Sequence, residues 1–183
     1  ETVTADGGTP LLAPMSAVAG RVAVLAGTQA LAMANGGNGT LLPGVLDVAP
    51  GRVTIIGAGM AGTNAAHLAL GLGAEVTVLD HNTERLRHLE ESYQGRIKTR
   101  YSDAAAIAEL VAGADLVIGA VLSPGKKAPK LISRQMVASM RPGSVLADIA
   151  IDQGGCAETS RPTNHSNPTY IEEGVVHYCV TNM

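Results

Sequence analysis

Three glycines, Gly57, Gly59 and Gly62, follow the apolar run Val53-Thr-Ile-Ile56 and open a stretch of helical spacing from Ala61 to Leu72. A strand that turns through G-x-G-x-x-G into a helix has a use for each glycine. Gly57 makes the tight turn, Gly59 leaves out the Cβ that would keep a pyrophosphate from the backbone, and Gly62 lets the helix pack close to the strand. Ala58, Met60 and Ala61 complete the turn, and the first N–H groups of the helix offer partial positive charge to phosphates. A second strand-like run, Glu75 to Leu79, ends in Asp80, 18 residues after Gly62. A carboxylate there accepts hydrogen bonds from adenosine ribose hydroxyls and repels a 2′-phosphate, which favours NAD over NADP. Arg85, one turn into the next helical segment, could attract a phosphate, pair with Asp80 or cover the adenine. Such a turn can also bind nothing, or hold another nucleoside such as a methyl donor; strand, glycines, helix and acid in register favour a dinucleotide.

Other reactive side chains read as structural. Cys156 follows two glycines but has no His or Lys placed in sequence to activate it, so it reads as a packed thiol. Cys156 and Cys179 lie 23 residues apart without a second pair, which argues against a disulfide framework and a zinc site and for a reducing, cytoplasmic compartment. His67, His81, His88, His165 and His177 have no partner at ligand spacing, so no metal is expected. Asp148, inside an apolar run, reads as a backbone-bonding acid, and Lys126, Lys127 and Lys130 as a solvated loop with phosphate contact as the alternative.

The elements that must position the glycine turn come in alternation. Strands are expected at Val53–Ile56, Glu75–Leu79, Arg96–Thr99, Leu116–Val121, Val145–Ile149 and Val176–Val180, with helices at Ala61–Leu72, Asn82–Tyr93, Asp103–Ala112 and Ser133–Met140. Leu116–Val121 is apolar without alternation, as parallel strands covered on both faces are. The pattern predicts an α/β fold of Rossmann type, a doubly wound parallel sheet in three αβα layers over residues 51–183. Residues 1–50 read as an extended arm (1–14), a long helix opening at Ser16 and a loop. In that helix Val18, Val22, Leu25, Ala30 and Met33 keep to one face, and Gly36, Gly37 and Gly39 stop it. With 183 residues and 46% apolar residues the chain can bury one core, and a formal charge of -3 gives no basic field for nucleic acid. The longest apolar stretch, Met15 to Ala34, is broken by Gly20, Arg21, Gly27, Thr28 and Gln29, so no membrane span and no membrane partner are expected. A start at Glu1 and an end at Met183, just after a strand-like run, suggest a piece of a longer protein.

The phrase Asp148-Ile-Ala-Ile-Asp152-Gln-Gly-Gly155-Cys156, with Ser160-Arg-Pro-Thr163 after it, resembles the coenzyme domain of the L-alanine dehydrogenase family. Leu11-Leu-Ala-Pro-Met-Ser16, Gly119 to Gly125 with Ala128-Pro-Lys-Leu131, and Tyr178 to Met183 support it, so the resemblance spans essentially the whole chain. The glycine turn and P-G-x-x-A-P-K-L segment are similar also to the NAD-binding component of proton-translocating nicotinamide nucleotide transhydrogenase; Ile151-Asp152-Gln153 favours the dehydrogenase. The resemblance implies conversion of L-alanine, NAD and water to pyruvate, ammonia and NADH by hydride transfer. It places Ser16 on the cofactor, Asp80 and Arg85 at the adenosine end and Ser102 near the adenine. Val121 and Leu122 would cover the ring system, Ile149, Ala150, Ile151 and Asp152 follow the fifth strand, and Val180, Asn182 and Met183 reach the nicotinamide side. Asp152 is the catalytic candidate, able to orient a substrate amine or water and share in proton transfer; its alternative role is capping a turn or holding the nicotinamide ribose. The family's substrate domain is missing from this chain, so L-alanine and pyruvate are expected as partners only once that domain is supplied. NAD binding with little or no turnover is expected of the piece alone, and a homohexamer of the parent protein.

Overall fold

The computed structural model describes residues 4, 10–123 and 125–183, which leaves most of the expected arm, and Pro124, outside the described residues. A long helix, α1 (Ala13–Ala30), comes first, followed by a 3-10 turn at Met33–Asn35 and a loop. Then β1 (Arg52–Ile56), α2 (Met60–Gly71), β2 (Glu75–Asp80), α3 (Thr83–Ser92), β3 (Lys98–Tyr101), α4 (Ala104–Gly113) and β4 (Leu116–Gly119) alternate. The short α5 (Arg134–Ala138), β5 (Val145–Asp148), a 3-10 turn at Ile149–Gln153, and β6 (Thr169–Glu172) and β7 (Val175–Tyr178) complete the order.

All seven strands form one sheet in the order β3-β2-β1-β4-β5-β7-β6, parallel throughout except for the antiparallel β6–β7 pair. This is the doubly wound α/β arrangement. β4, β5 and β7 are buried along their whole length, and their Val, Leu and Ile side chains fill both faces of the sheet. One core layer packs Val24, Leu31, Ile55 and Ala65 beneath α1 and α2; the other packs Ile56, Leu79, Val117, Ile132 and Leu146 beneath α4 and α5.

β3 lies two residues later than expected and β7 ends two residues earlier, and three further expectations are corrected. β6 had no sequence signal: it is a four-residue edge strand, half-exposed, joined to β7 by Glu173-Gly174 with positive φ at both, rather than by a standard Asn-Gly hairpin turn. β4 stops at Gly119, two residues early, because from Ala120 the chain leaves the sheet. The third concerns α1. It begins at Ala13 with Pro14 in its first turn, where a missing N–H costs nothing, and its α-helix ends at Ala30, well before the glycines. Its packed face is also not the one of large side chains. Val18 and Leu25 stay 51% and 56% exposed, while Ala19, Gly20, Ala23, Val24, Gly27 and Ala30 are buried. Close approach selects the small residues: a Cβ at Gly20 would collide with the Ala61 carbonyl of α2, and one at Gly27 would meet the Leu116 side chain at 2.6 Å.

Candidate functional site

The order β3-β2-β1-β4 means that the chain leaves β1 to one side and β4 to the other, and a crevice opens beyond the carboxyl ends where they diverge. The turn after β1 is pinned on both sides. Gly57 N–H donates to the Leu79 carbonyl at 2.7 Å, and Ala120 N–H donates to the Ile56 carbonyl at 2.8 Å. Gly57 has a φ of +111°, and a Cβ there would lie 2.6 Å from the Ala120 carbonyl oxygen, so glycine is required twice over. A Cβ on Gly62 would run into the Gly57 carbonyl oxygen, which makes Gly62 the contact that lets α2 start against the turn. At Gly59, by contrast, a Cβ would meet nothing within 4 Å: the space in front of it is open.

That open space faces an uncapped helix start. Helices α3, α4 and α5 are each capped by a side chain, through Asn82, Asp103 and Ser133 accepting from Arg85, Ala106 and Met136 N–H at 3.1, 2.8 and 3.2 Å. The residue before α2 is Gly59, with no side chain to satisfy those N–H groups. Of the described βα turns at the crevice, the glycine turn is thus the one left for an external acceptor. Open room where a Cβ would block it, beside free N–H groups, fits the pyrophosphate of a dinucleotide.

Asp80 closes the turn from the β2 side. Only 5% exposed, its carboxylate accepts from Ala58 N–H at 2.6 Å and from Asn82 N–H at 2.8 Å, and His81 Nδ1 lies 3.5 Å away. It therefore braces the glycine turn while still lining the crevice. Ser102 joins it through its N–H, which donates to the Asp80 carbonyl at 3.0 Å.

The crevice consists of two hollows of about 470 and 240 Å³ that share Ser16, Ala61, Ala120, Val121 and Leu122. The larger brings together Gly57, Gly59, Met60, Asp80, Arg85 and Ser102. The smaller brings together Ile149, Ala150, Asp152, Asn182 and Met183. Four sequence candidates line neither. Ala58 turns its N–H to Asp80, Gly62 packs on Gly57, and Ile151 and Val180 are buried in the core. Several lining residues are not among the sequence candidates, His81, Leu131, Met15, Ala120 and Gln153 among them. Met15, His81, Ala120 and Gln153 each stand beside a candidate residue, and that adjacency is the one signal by which the sequence could have found them.

At the far end two acids four residues apart differ sharply. Asp148, fully buried, accepts from Ala150, Cys156 and Ala157 N–H at 3.1, 2.8 and 3.3 Å and from Ser160 Oγ at 2.5 Å; it is the backbone-bonding acid expected. Asp152 is exposed and meets only the Asn182 N–H, at 3.3 and 3.4 Å to its two oxygens, so its lone pairs remain available. Lys130 is not a phosphate ligand: its ammonium donates to the Gly154 and Ala157 carbonyls at 2.7 and 2.8 Å.

The thiols are inert by environment. Burial, then the nearby Asp148 carboxylate, pushes Cys156 well above the ordinary thiol range, and burial pushes Cys179 up to about 11. His177 is a satisfied core histidine. Its Nδ1 faces the Val175 carbonyl at 2.9 Å, which can only accept, so Nδ1 carries the proton and Nε2 accepts from Thr159 Oγ1 at 2.8 Å. Burial holds its pKa below the usual value. Among the described residues no three His, Cys, Asp or Glu side chains gather as a metal site, and no helix is long and apolar enough to cross a membrane.

Comparison with known proteins agrees with this geometry. Residues 23–183 match the family model "Alanine dehydrogenase/PNT, C-terminal domain". Alanine dehydrogenase of Halomonas elongata is 64% identical over 100% of this chain and 50% of its own length. That of Mycobacterium tuberculosis is 58% identical over the same shares. A solved L-alanine dehydrogenase superposes with a TM-score of 0.94 at 50% identity, covering 97% of this chain and 49% of that one. Transhydrogenase from Sinorhizobium meliloti reaches 0.81 at 28% identity, over 93% of this chain and 49% of that one. The chain thus spans about half the length of the curated relatives it matches. It belongs to the alanine dehydrogenase/PNT family, whose C-terminal domain it represents.

Proposed function

We propose that this chain is the NAD-binding half of an L-alanine dehydrogenase. The observation that carries the reading is the open space at Gly59 beside the uncapped start of α2, at the head of a crevice that runs on to an under-bonded carboxylate, Asp152. NAD, when bound, supplies the hydride acceptor for the Cα of L-alanine. The N–H groups at the start of α2 hold the pyrophosphate, and Asp80 with Arg85 takes the adenosine ribose and selects NAD over NADP. Val121 and Leu122 cover the apolar part of the coenzyme and keep water from it. Asp152 orients the substrate amine or the attacking water and takes part in proton transfer; its exposure leaves it free to do so. L-alanine itself is held by the half that the relatives have in addition, so turnover needs both walls of the cleft. Buried free thiols at Cys156 and Cys179 suit a reducing cytoplasm.

Calorimetric titration of the chain with NAD, NADP and NADH tests the reading. Saturable binding that prefers NAD is expected. A folded chain that binds none of the three would sink it. Adding the substrate half in trans should then yield alanine-dependent NADH.

A further inference from the structure

The two turns that wall the smaller hollow come from different parts of the chain, and one side chain ties them together. Gln153 closes a two-point hydrogen-bonded pair with the backbone of Ser123: its Nε2 donates to the Ser123 carbonyl at 2.9 Å, and its Oε1 accepts from the Ser123 N–H at 3.1 Å. The side chain thus behaves as a strand partner for the segment that carries Val121 and Leu122. Its own carbonyl accepts from Ala128 N–H at 2.9 Å, and Lys130 adds its bonds to Gly154 and Ala157. Asp152 precedes Gln153 in the same 3-10 turn, so whatever places Ser123 also places Asp152.

We propose that Gln153 is a positioning residue: by clamping the segment after β4 to the turn after β5, it sets the distance between the Val121–Leu122 cover and the Asp152 carboxylate. The inference rests on the dinucleotide reading above and deepens it at one end of the cleft. It follows from position. β4 and β5 are neighbours, but their ladder ends at Gly119 and Asp148; the Gln153 side chain is the first tie beyond it, on Ser123, and backbone bonds rejoin the two segments only farther along, from Ala128 N–H to the Gln153 carbonyl and from Leu131 and Ile132 N–H to the Cys156 carbonyl. An amide is the side chain that can replace such a rung, since it has a donor and an acceptor at the spacing of a peptide. The glycine turn has its own pins, Gly57 N–H, Ala120 N–H and Asp80, so the larger hollow meets the clamp only through the Val121–Leu122 cover that the two hollows share.

The test uses the full-length protein and two ligands, NAD, which fills the whole cleft, and ADP, which probes only the glycine-turn end. Gln153→Leu removes both bonds at similar volume. It should raise the Kd for NAD and lower kcat by about tenfold each, with ADP affinity within about twofold of the parent protein. Gln153→Glu keeps an acceptor for the Ser123 N–H but sets a carboxylate oxygen against the Ser123 carbonyl; it should show the same NAD-selective loss and serves if the leucine variant does not fold. Equal losses for NAD and ADP would make Gln153 a general stability residue and overturn the inference, as would unchanged NAD binding and kcat. A parent protein that binds neither ligand would overturn the dinucleotide reading and this inference with it.

Discussion

The two ends of the crevice are built in opposite ways. The glycine-turn end is built mainly from the β1-to-β2 piece and held by close backbone approach, Gly57 against Ala120 and Gly62 against Gly57, with the buried Asp80 carboxylate taking the Ala58 N–H. The Asp152 end is assembled from three stretches far apart in sequence, around Val121, Asp152 and Asn182, and is held by side chains and single hydrogen bonds. The first is fixed by steric close approach, which suits the unvarying shape of a pyrophosphate. The second joins separate turns through side-chain bonds, and the acid it presents is the one with spare lone pairs.

Within the glycine-turn end, two glycines three residues apart should separate fold from ligand. Gly62→Ala forces a methyl into the Gly57 carbonyl and should cost about 3 kcal/mol or more, read as a drop in the denaturation midpoint. Gly59→Ala meets no protein atom and should leave that midpoint alone while weakening NAD by roughly tenfold or more, by calorimetry. Similar stability losses in both variants would erase the distinction.

At the other end, Asp152→Asn in the full-length protein should cut kcat by about a hundredfold with little change in stability. A kcat within a factor of two would reduce Asp152 to a ribose or turn contact. Asp80→Ala should weaken NAD by about tenfold and relax the rejection of NADP, and because Asp80 also braces Ala58 it should lower stability too. If both affinities stay unchanged, the acid belongs to the turn alone and not to the ribose.

The smallest effect concerns His177. Burial lowers its pKa in the folded chain, with Arg161 adding to the shift and the Val175 carbonyl, Glu172 and Asp148 opposing it. The unfolded chain therefore binds the extra proton first. Stability should fall as pH drops through the ordinary histidine value of about 6.5 towards the lower folded one. Urea midpoints between about pH 7.5 and about pH 5 should fall less in His177→Gln than in the parent. Equal slopes would assign the acid sensitivity elsewhere.

Most of the sheet could be read in advance because its central strands are continuous Val-Ile-Leu runs between helices of the right length. β6 escaped because four edge residues carry too little pattern to stand out. The face of α1 was misread for a different reason: a search for large apolar side chains selects Val18 and Leu25, whereas a helix pressed against a neighbouring backbone buries its glycines and alanines. Of the candidate residues, those in the glycine turn could be assigned by spacing, since local geometry alone demands them. Ile151 and Val180 sit in segments that line the crevice but are themselves buried in the core, and a sequence cannot state which way a residue in an irregular turn faces.

Sequence by itself determined the fold class, the glycine turn and the acid beside it, because short-range sterics and the 2.0 and 3.6 periods are written in consecutive residues. Only the tertiary structure decided that Asp148 is saturated while Asp152 is not, that Lys130 serves the backbone, and that Gln153 joins two walls of the cleft. Those are matters of which donors lie within about 3 Å, and donors brought from distant segments leave no trace in local spacing.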